Sequence, residues 1–301
     1  MNGIICIDKS ENYTSFDVIA RLRGMLKIRR LGHAGTLDPN ATGVLPVFVG
    51  RATRLCDILP DDSKSYLADF KLGITSTTQD IWGEVLSHQS TRVSAQEIKP
   101  VLTKFTGNIF QIPPMVSAVQ VGGVRLYDLA RQGIEVERKE RPVEIRELKL
   151  LSFDEEKQEG ALFVDCSKGT YVRTLCHDIG GELNTGCVLS GLRRTRSGCF
   201  TEKDCITIEQ ANELAAQGKL VERILPPETV FEDFEKVKLD DVQTVKFING
   251  VKLDLPRIDC KQTAGTVTVY SDENAFLGLA KKDTDTKELV LIKLLAERGT
   301  A

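Results

Sequence analysis

The sequence predicts an α+β protein in which a large, mainly antiparallel mixed sheet is flanked by helices and loops and followed by a small, mostly β domain. Strand-length apolar runs are mixed with helix-length amphipathic segments without a regular strand–helix–strand repeat, which favours antiparallel pairing. After the chain-breaking sequence Leu225-Pro-Pro-Glu only short strand-like runs follow. We therefore expect one domain over residues 1–230 and a second over 235–301.

The individual elements follow from local periodicity and turn chemistry. Residues 3–8 form a short apolar strand, and residues 15–26 carry apolar side chains at helical spacing directly after cap-forming residues. Three glycines and one proline between residues 27 and 43 predict a loop. The same criteria predict strands at 45–49, 65–73, 143–152, 161–167, 265–270 and 288–295, helices at 95–106, 125–132 and 207–216, and an extended proline-containing segment at 109–121.

Composition excludes several classes of protein. The chain has 301 residues, 28% of them charged, and a formal net charge of −3, so it lacks the overall basic surface of a nonspecific nucleic-acid-binding protein. Charge appears at Asp8 and Lys9, too early for a secretory signal, and no apolar run approaches the roughly 20 residues of a membrane helix. We therefore expect a cytoplasmic protein that does not contact a membrane.

The eight cysteines indicate reduced thiols. They lack the close spacing of zinc ligands, and the chain has only three histidines to complete such a site. Several cysteines lie within apolar stretches of a long chain without a signal sequence, which favours core thiols over disulfides.

Basic residues are concentrated near the N-terminus. Between Arg21 and Arg54, seven basic residues accompany a single acid, Asp38, which gives a local charge of +6. Such a segment can bind phosphates, although a solvated helix face balanced by distant acids explains the charge equally well.

The loop around Asp38 displays one carboxylate beside these cations. Because Asp38 precedes Pro39, its backbone is directed away from the helical region, and Gly35 and Gly43 permit close approach of another backbone. A catalytic carboxylate is one interpretation of this loop. An aspartate that merely caps a turn or helix is the other.

The same loop closely resembles the signature of the bacterial tRNA pseudouridine-55 synthases of the TruB type. The resemblance extends in order over residues 3–200, with serine at position 10 and asparagine at positions 12 and 40 as small departures from the family pattern. The matching segments are Asp8-Lys9, Thr14-Ser15, Gly32-His33-Ala34-Gly35-Thr36-Leu37-Asp38-Pro39, Ala41-Thr42-Gly43, Lys64-Ser65-Tyr66, Pro113 to Ala118, Tyr127 to Gly133, Gly169 to Thr174 and Leu192-Arg193-Arg194-Thr195.

The resemblance implies a role for each candidate residue. Asp38 is the catalytic carboxylate and Arg173 its cationic partner, while Leu192 forms part of the apolar pocket wall. One of Tyr66 and Tyr171 stacks on the target base, and the other shapes the pocket or handles the proton. Two further roles concern the RNA: His33 fills the space that the flipped uridine leaves, and a phosphate-facing group consists of Lys9, Arg21, Arg23, Lys27, Arg29 and Arg30.

The implied reaction converts a flipped-out uridine of the tRNA T stem-loop to pseudouridine. It involves no redox change, so we expect neither cofactor nor metal, no obligate protein partner, and a monomer. By its position, the region from about 235 to 301 corresponds to the PUA-like RNA-binding domain of the family.

Two other functions compete with this hypothesis. A noncatalytic tRNA-binding or folding protein would need the same basic segment and C-terminal domain. An aspartate-nucleophile hydrolase or phosphotransferase is disfavoured because the chain lacks a P-loop, a nucleophile elbow and clustered metal-binding carboxylates near Asp38.

Overall fold

A computed structural model of the chain describes residues 1–261 and 263–296. The strands within these residues are β1 (Gly3–Lys9), β2 (Leu31–His33), β3 (Thr42–Val49), β4 (Lys64–Leu72), β5 (Ile74–Ser76), β6 (Val85–His88), β7 (Gly107–Gln111), β8 (Gln120–Val121), β9 (Val124–Arg125), β10 (Arg141–Asp154), β11 (Glu159–Cys166), β12 (Cys187–Ser197), β13 (Phe200–Thr201), β14 (Cys205–Ile206), β15 (Glu235–Leu239), β16 (Leu253–Asp254), β17 (Gly265–Ser271), β18 (Phe276–Asp283) and β19 (Glu288–Leu294).

The α-helices of the described residues are fewer than the strands. They are α1 (Ser15–Leu26), α2 (Ala95–Lys104), α3 (Leu126–Arg131), α4 (Val172–Glu182), α5 (Ile208–Ala216) and α6 (Asp241–Ile248). Helix α1 begins and ends as its sequence predicts. A capping box joins Thr14 to Asp17, and Lys27 ends the helix in a left-handed conformation with φ of 55°.

The large sheet contains ten strands of the described chain, in the order β14-β1-β3-β12-β4-β11-β10-β7, with β2 added to β3 and β13 to β12. Only the β1–β14 and β3–β12 pairs within it are parallel. Strand β4 illustrates why it forms: the aromatic and aliphatic side chains of Tyr66, Ala68, Phe70 and Leu72 are all buried. The expected α+β fold with a mainly antiparallel mixed sheet is confirmed.

Strand register brings distant segments of the sequence together. Arg194 on β12 lies opposite Gly43 on β3 and, on its other side, opposite Tyr66 on β4. The loop that precedes β3 carries Asp38, so this loop lies close to the middle of the sheet rather than at its edge.

A second sheet of five strands, β15-β17-β18-β19-β16, occupies the C-terminal part of the described chain. Leu279 from this sheet and Phe231 pack with Phe48 and Leu55 of the N-terminal region in one buried cluster. Arg54 donates to the Leu294 carbonyl at 2.7 Å. The mostly β character of this region is confirmed, whereas a domain division at 230–235 and a PUA-like RNA-binding role stay predictions.

Helix α4 and strand β12 are elements that the sequence analysis did not identify. Seven of the eleven residues of α4 are buried, and they include the polar residues Arg173 and Thr174, while Gly180-Gly181 lowers the helical propensity of the segment. Gly180 is needed for packing, because a Cβ there would collide with the backbone of Cys187 on β12. Tertiary contact therefore stabilises a helix that local sequence does not favour.

Four of the eight cysteines lie in the interior of the fold. All eight cysteines are free thiols, and Cys6, Cys166, Cys176 and Cys187 are buried, as expected. Among the described residues, no helix combines the length and apolarity needed to cross a membrane.

Candidate active site

The loop between β2 and β3 holds Asp38 on a fixed backbone. The Ser15 hydroxyl accepts a hydrogen bond from the Leu37 N–H at 2.9 Å and donates one to the Leu37 carbonyl at 3.1 Å. On the other side, the Ala41 N–H donates to the Asp38 carbonyl at 3.0 Å, closing a turn around Pro39. The loop backbone is anchored at both ends, while the Asp38 side chain stays 47% exposed.

Gly43, the second residue of β3, is a motif glycine whose role the structure explains. Its φ is 101°, and a Cβ at this position would collide with the backbone carbonyl of Arg194 on the neighbouring strand. Close approach of β3 and β12 therefore requires glycine here.

Lys9 lies beneath the loop, and its predicted place among the phosphate-facing residues is wrong. The side chain is completely buried, and its Nζ donates to the carbonyls of Ser10 at 2.9 Å, Tyr13 at 2.7 Å and Pro39 at 3.0 Å. Burial lowers the pKa of Lys9 to about 8. Because Lys9 is used internally to hold the Asp38 loop, it cannot reach an RNA phosphate.

Arg194 is a second internal cation, which the sequence analysis placed in a motif without giving it a role. Its guanidinium is buried, with Nε donating to the Val44 carbonyl at 2.7 Å and Nη2 to the Gly35 carbonyl at 3.2 Å. These bonds tie the loop that carries Asp38 to strand β12. Two adjacent arginines in the motif gave no indication of which one faces inward.

Arg173 forms an ion pair with Asp38 from the first turn of α4. Its Nε lies 2.9 Å from Oδ2 of Asp38, and its side chain is only 5% exposed. Nη1 donates to the Thr78 carbonyl at 3.1 Å and Nη2 to the Val116 carbonyl at 2.9 Å. Arg173, a buried residue of α4, thus joins three segments that are distant in sequence.

Asp80 contributes a second carboxylate that the sequence analysis missed. Its Oδ2 lies 3.8 Å from Nη1 of Arg173, and its Oδ1 accepts a hydrogen bond from the Thr78 hydroxyl at 2.6 Å. The loop between β5 and β6 places it there, since the Ile81 N–H donates to the carbonyl of Leu189 on β12. No periodic pattern or familiar motif marks such a loop in a single sequence.

A cavity of about 600 Å³ opens beside the Asp38–Arg173 pair. All six candidate residues outside the predicted phosphate-facing group line it. Four different stretches of the chain supply them: His33 and Asp38, Tyr66, Tyr171 and Arg173, and Leu192. Lys64 and Ser117 line the same cavity. The cavity therefore combines a carboxylate, a guanidinium and aromatic rings.

The two tyrosines of the cavity are held differently. Tyr66 is 6% exposed, and burial raises its pKa to about 12, so its hydroxyl stays protonated at neutral pH. Tyr171 is half-buried and is fixed through its backbone, which exchanges two hydrogen bonds with the side-chain amide of Gln111 at 3.0 and 3.2 Å.

His33 should make stability depend on pH. Burial lowers its pKa below 6.5, and the nearby Arg194 cation lowers it further. The unfolded chain therefore takes up this proton first, so the contribution is fully present above pH 6.5 and is lost as the pH falls below that value.

We expect wild type to lose more free energy of unfolding than His33→Gln between about pH 7.5 and pH 5.5, measured by urea denaturation. His88 and His177 are present in both proteins, so the difference isolates His33. Equal losses in the two proteins would contradict the assignment.

The remaining members of the predicted phosphate-facing group lie on or just after α1. Arg21, Lys27, Arg29 and Arg30 are exposed, and Arg23 is half-buried with its guanidinium over the Phe16 ring. Arg30 also donates to the Thr53 hydroxyl at 2.7 Å. Five cations are therefore available to solvent, and their contact with RNA stays a prediction.

Comparison with known proteins relates this fold and cavity to one family. The model for the N-terminal domain of the TruB family of pseudouridylate synthases matches residues 23–172, and that for the C-terminal domain of tRNA pseudouridylate synthase B matches residues 173–232. tRNA pseudouridine synthase B of Syntrophomonas wolfei is 41% identical over 294 residues, 97% of each chain. The same enzyme of Clostridium perfringens is 40% identical over 301 residues, 99% of this chain and all of the relative.

Solved structures agree with these matches. A chain of a Cbf5-Nop10-Gar1 complex is 27% identical, with a TM-score of 0.73 over 98% of this chain and 85% of its own. A chain of an H/ACA RNP bound to a substrate RNA containing 2'-deoxyuridine is 25% identical, with a TM-score of 0.72 over 99% of this chain and 86% of its own. By sequence over its full length and by fold, this chain belongs to the TruB family of tRNA pseudouridylate synthases.

Proposed function

We propose that this protein isomerises the uridine at position 55 of tRNA to pseudouridine, with Asp38 as the catalytic carboxylate and the T stem-loop as the structure it recognises. The ion pair between Asp38 and the buried Arg173, at the wall of a cavity that also contains Tyr66, is the observation that carries the proposal. Membership of the TruB family supports it, as does the name of the two bacterial relatives.

The reaction needs only groups that this cavity can supply. The bond from N1 of uracil to C1′ of ribose breaks, the base turns, and C5 bonds to C1′; C5 loses a proton and N1 gains one. A carboxylate beside C1′/C2′ of the sugar or C6 of the base can act as nucleophile or base, and an enclosed pocket retains the detached uracil. Atoms and electrons balance without a redox partner.

Arg173 is suited to hold the Asp38 carboxylate in one orientation beside a base that fills the cavity. Its guanidinium lies 2.9 Å from the carboxylate oxygen, and the carbonyls of Thr78 and Val116 hold the guanidinium in place. Apolar contact with Leu192 completes the pocket around the base. In this proposal His33 fills the place of the extruded uridine in the RNA.

Recognition of the T stem-loop is assigned to shape and charge. Proteins read RNA mainly through loops whose bases can be turned outward, and phosphates bind exposed lysine and arginine side chains. The exposed cations Arg21, Lys27, Arg29 and Arg30 after and along α1 would bind the stem phosphates, together with Arg23. The C-terminal sheet would add a second RNA contact of the PUA type.

Tyr66 provides a direct test of base stacking. Stacking of a base on an aromatic ring contributes about 1–3 kcal/mol. We therefore expect Tyr66→Leu to raise the Kd for a T stem-loop RNA about tenfold and Tyr66→Phe to leave it within about threefold, measured by fluorescence anisotropy of labelled RNA. Equal weakening by both substitutions would show that Tyr66 acts through its hydroxyl instead.

Tritium release tests the activity itself. Purified protein, without added metal or nucleotide, is incubated with a tRNA transcript labelled with tritium at C5 of uridine. The expected result is stoichiometric release from one T-loop uridine, because C5 loses its hydrogen when it bonds to C1′. Tight tRNA binding without release would instead support the noncatalytic RNA-folding protein.

A further inference from the structure

A tryptophan lies beside the candidate active site without a place in the proposed reaction. Trp82, the only tryptophan of the chain, is in the loop between β5 and β6, and it is 49% exposed. Ile81 and Val116 nearby in the fold are also exposed, at 46% and 38%. A large aromatic ring that is half exposed beside a cavity is typical of a binding surface.

The loop that carries Trp82 is firmly anchored. The Trp82 N–H donates to Oδ1 of Asp80 at 3.2 Å, and the Ile81 N–H donates to the Leu189 carbonyl at 2.8 Å. Glycine is favoured at position 83, because a Cβ there would collide with both the hydroxyl and the backbone nitrogen of Thr78. The indole is therefore presented on a rigid backbone, so little conformational entropy is lost when a ligand stacks on it.

Trp82 also shares a cavity with the catalytic pair. Trp82 lines a second cavity of about 190 Å³. Three other residues that line it, Asp38, Arg173 and Leu192, also line the large cavity. The two cavities thus meet at the Asp38–Arg173 pair and extend from it in two directions. One direction leads to Tyr66, and the other leads to Trp82.

We propose that the Trp82 indole stacks on the base of a nucleotide directly adjacent to the target uridine. This inference rests on the proposed function, in which the uridine occupies the large cavity. An RNA chain is continuous, so the neighbouring nucleotide must leave that cavity close to Asp38, where the smaller cavity and the indole lie. Aromatic stacking accepts any base, which suits a contact that supplies affinity rather than sequence selection.

Tryptophan fluorescence gives the first test, because all tryptophan emission comes from this residue. The Asp38→Asn protein, which prevents turnover, is titrated with an intact T stem-loop RNA and with two RNAs that lack the base just before or just after the target uridine. We expect a saturable change in emission with the intact RNA and its loss with one of the abasic RNAs. Unchanged emission at saturating intact RNA, as judged by anisotropy, would overturn the proposal.

Substitutions give the second test. Trp82→Ala should raise the Kd for intact RNA about tenfold, Trp82→Phe should keep it within about threefold, and kcat for tritium release should change little. Leu86→Ala, an exposed apolar residue on the same hairpin, is the matched control and should leave Kd unchanged. In Trp82→Ala, removal of the contacted base should not raise the Kd for RNA any further. If the substitution and the base removal weaken binding additively, the proposal is overturned.

These outcomes separate the stacking contact from the reaction. If wild type releases no tritium but the emission change and the abasic effect are present, the isomerase proposal fails while the contact between Trp82 and RNA stands. If wild type is active but Trp82→Ala binds RNA as wild type does, the contact is refuted and the reaction stands. Failure of the RNA to bind at all would overturn both.

Discussion

Asp38→Asn should lower kcat for tritium release about 10⁴-fold or more while changing the Kd for the T stem-loop less than about threefold. Asparagine has nearly the same shape as aspartate. Its side-chain oxygen can still accept the hydrogen bond from Nε of Arg173, which lies 2.9 Å from Oδ2 of Asp38 in the wild-type structure. It cannot act as a carboxylate nucleophile or base. The loss should therefore appear in the chemical step and not in RNA binding.

Single-turnover release and RNA anisotropy, measured on the same protein, separate these two effects. Asp285→Asn makes the same change at an exposed aspartate between β18 and β19, far along the chain, and should retain wild-type activity. Undiminished release by Asp38→Asn would mean that another group performs the chemistry. A parallel loss of RNA binding and release would assign Asp38 a role in holding RNA.

Arg173→Lys should lower kcat by about 10²-fold although the positive charge is retained. The planar guanidinium of Arg173 donates to Asp38, the Thr78 carbonyl and the Val116 carbonyl in three fixed directions. A lysine ammonium cannot reproduce this arrangement. Hydrogen bonds contribute about 0.5–1.5 kcal/mol each, so losing those to the part-buried Thr78 and Val116 carbonyls should also lower the free energy of unfolding. The two effects have one cause, which is the loss of the planar fork.

Urea denaturation and single-turnover kinetics at saturating RNA measure the two effects separately. Arg92→Lys, an exposed arginine between β6 and α2, is the control for the same chemical change and should alter neither quantity. Activity of Arg173→Lys within threefold of wild type would show that the charge alone matters at this position. Loss of stability without loss of kcat would make Arg173 a purely structural residue.

Local sequence determined much of the element assignment. Helix α1 was predicted over residues 15–26 and spans Ser15–Leu26, because its apolar spacing and its capping box at Thr14 are both local signals. Strand β4 likewise shows its alternation directly. Helix α4 was missed because Gly180-Gly181 lowers its helical propensity and because its buried residues include the polar Arg173 and Thr174.

Charge was the property that sequence described least well. Lys9 and Arg23 have the same formal charge in a list of basic residues, yet Lys9 is completely buried and bonded to three carbonyls. Likewise, Arg54 belongs to the same basic stretch but is bonded to the Leu294 carbonyl. Whether a cation faces solvent or supports a loop depends on neighbours that are distant in sequence.

The sequence by itself determined the α+β class, the special character of the Asp38 loop and the resemblance to a family, because composition, periodicity and motifs are local properties of the chain. Only the tertiary structure decided which residues meet. Strand register places Arg194 between Gly43 and Tyr66, and the start of α4 brings Arg173 to Asp38. Asp80 and Trp82 join them through a loop anchored on β12, since contacts across a sheet depend on pairing between distant segments, which spacing along the chain does not encode.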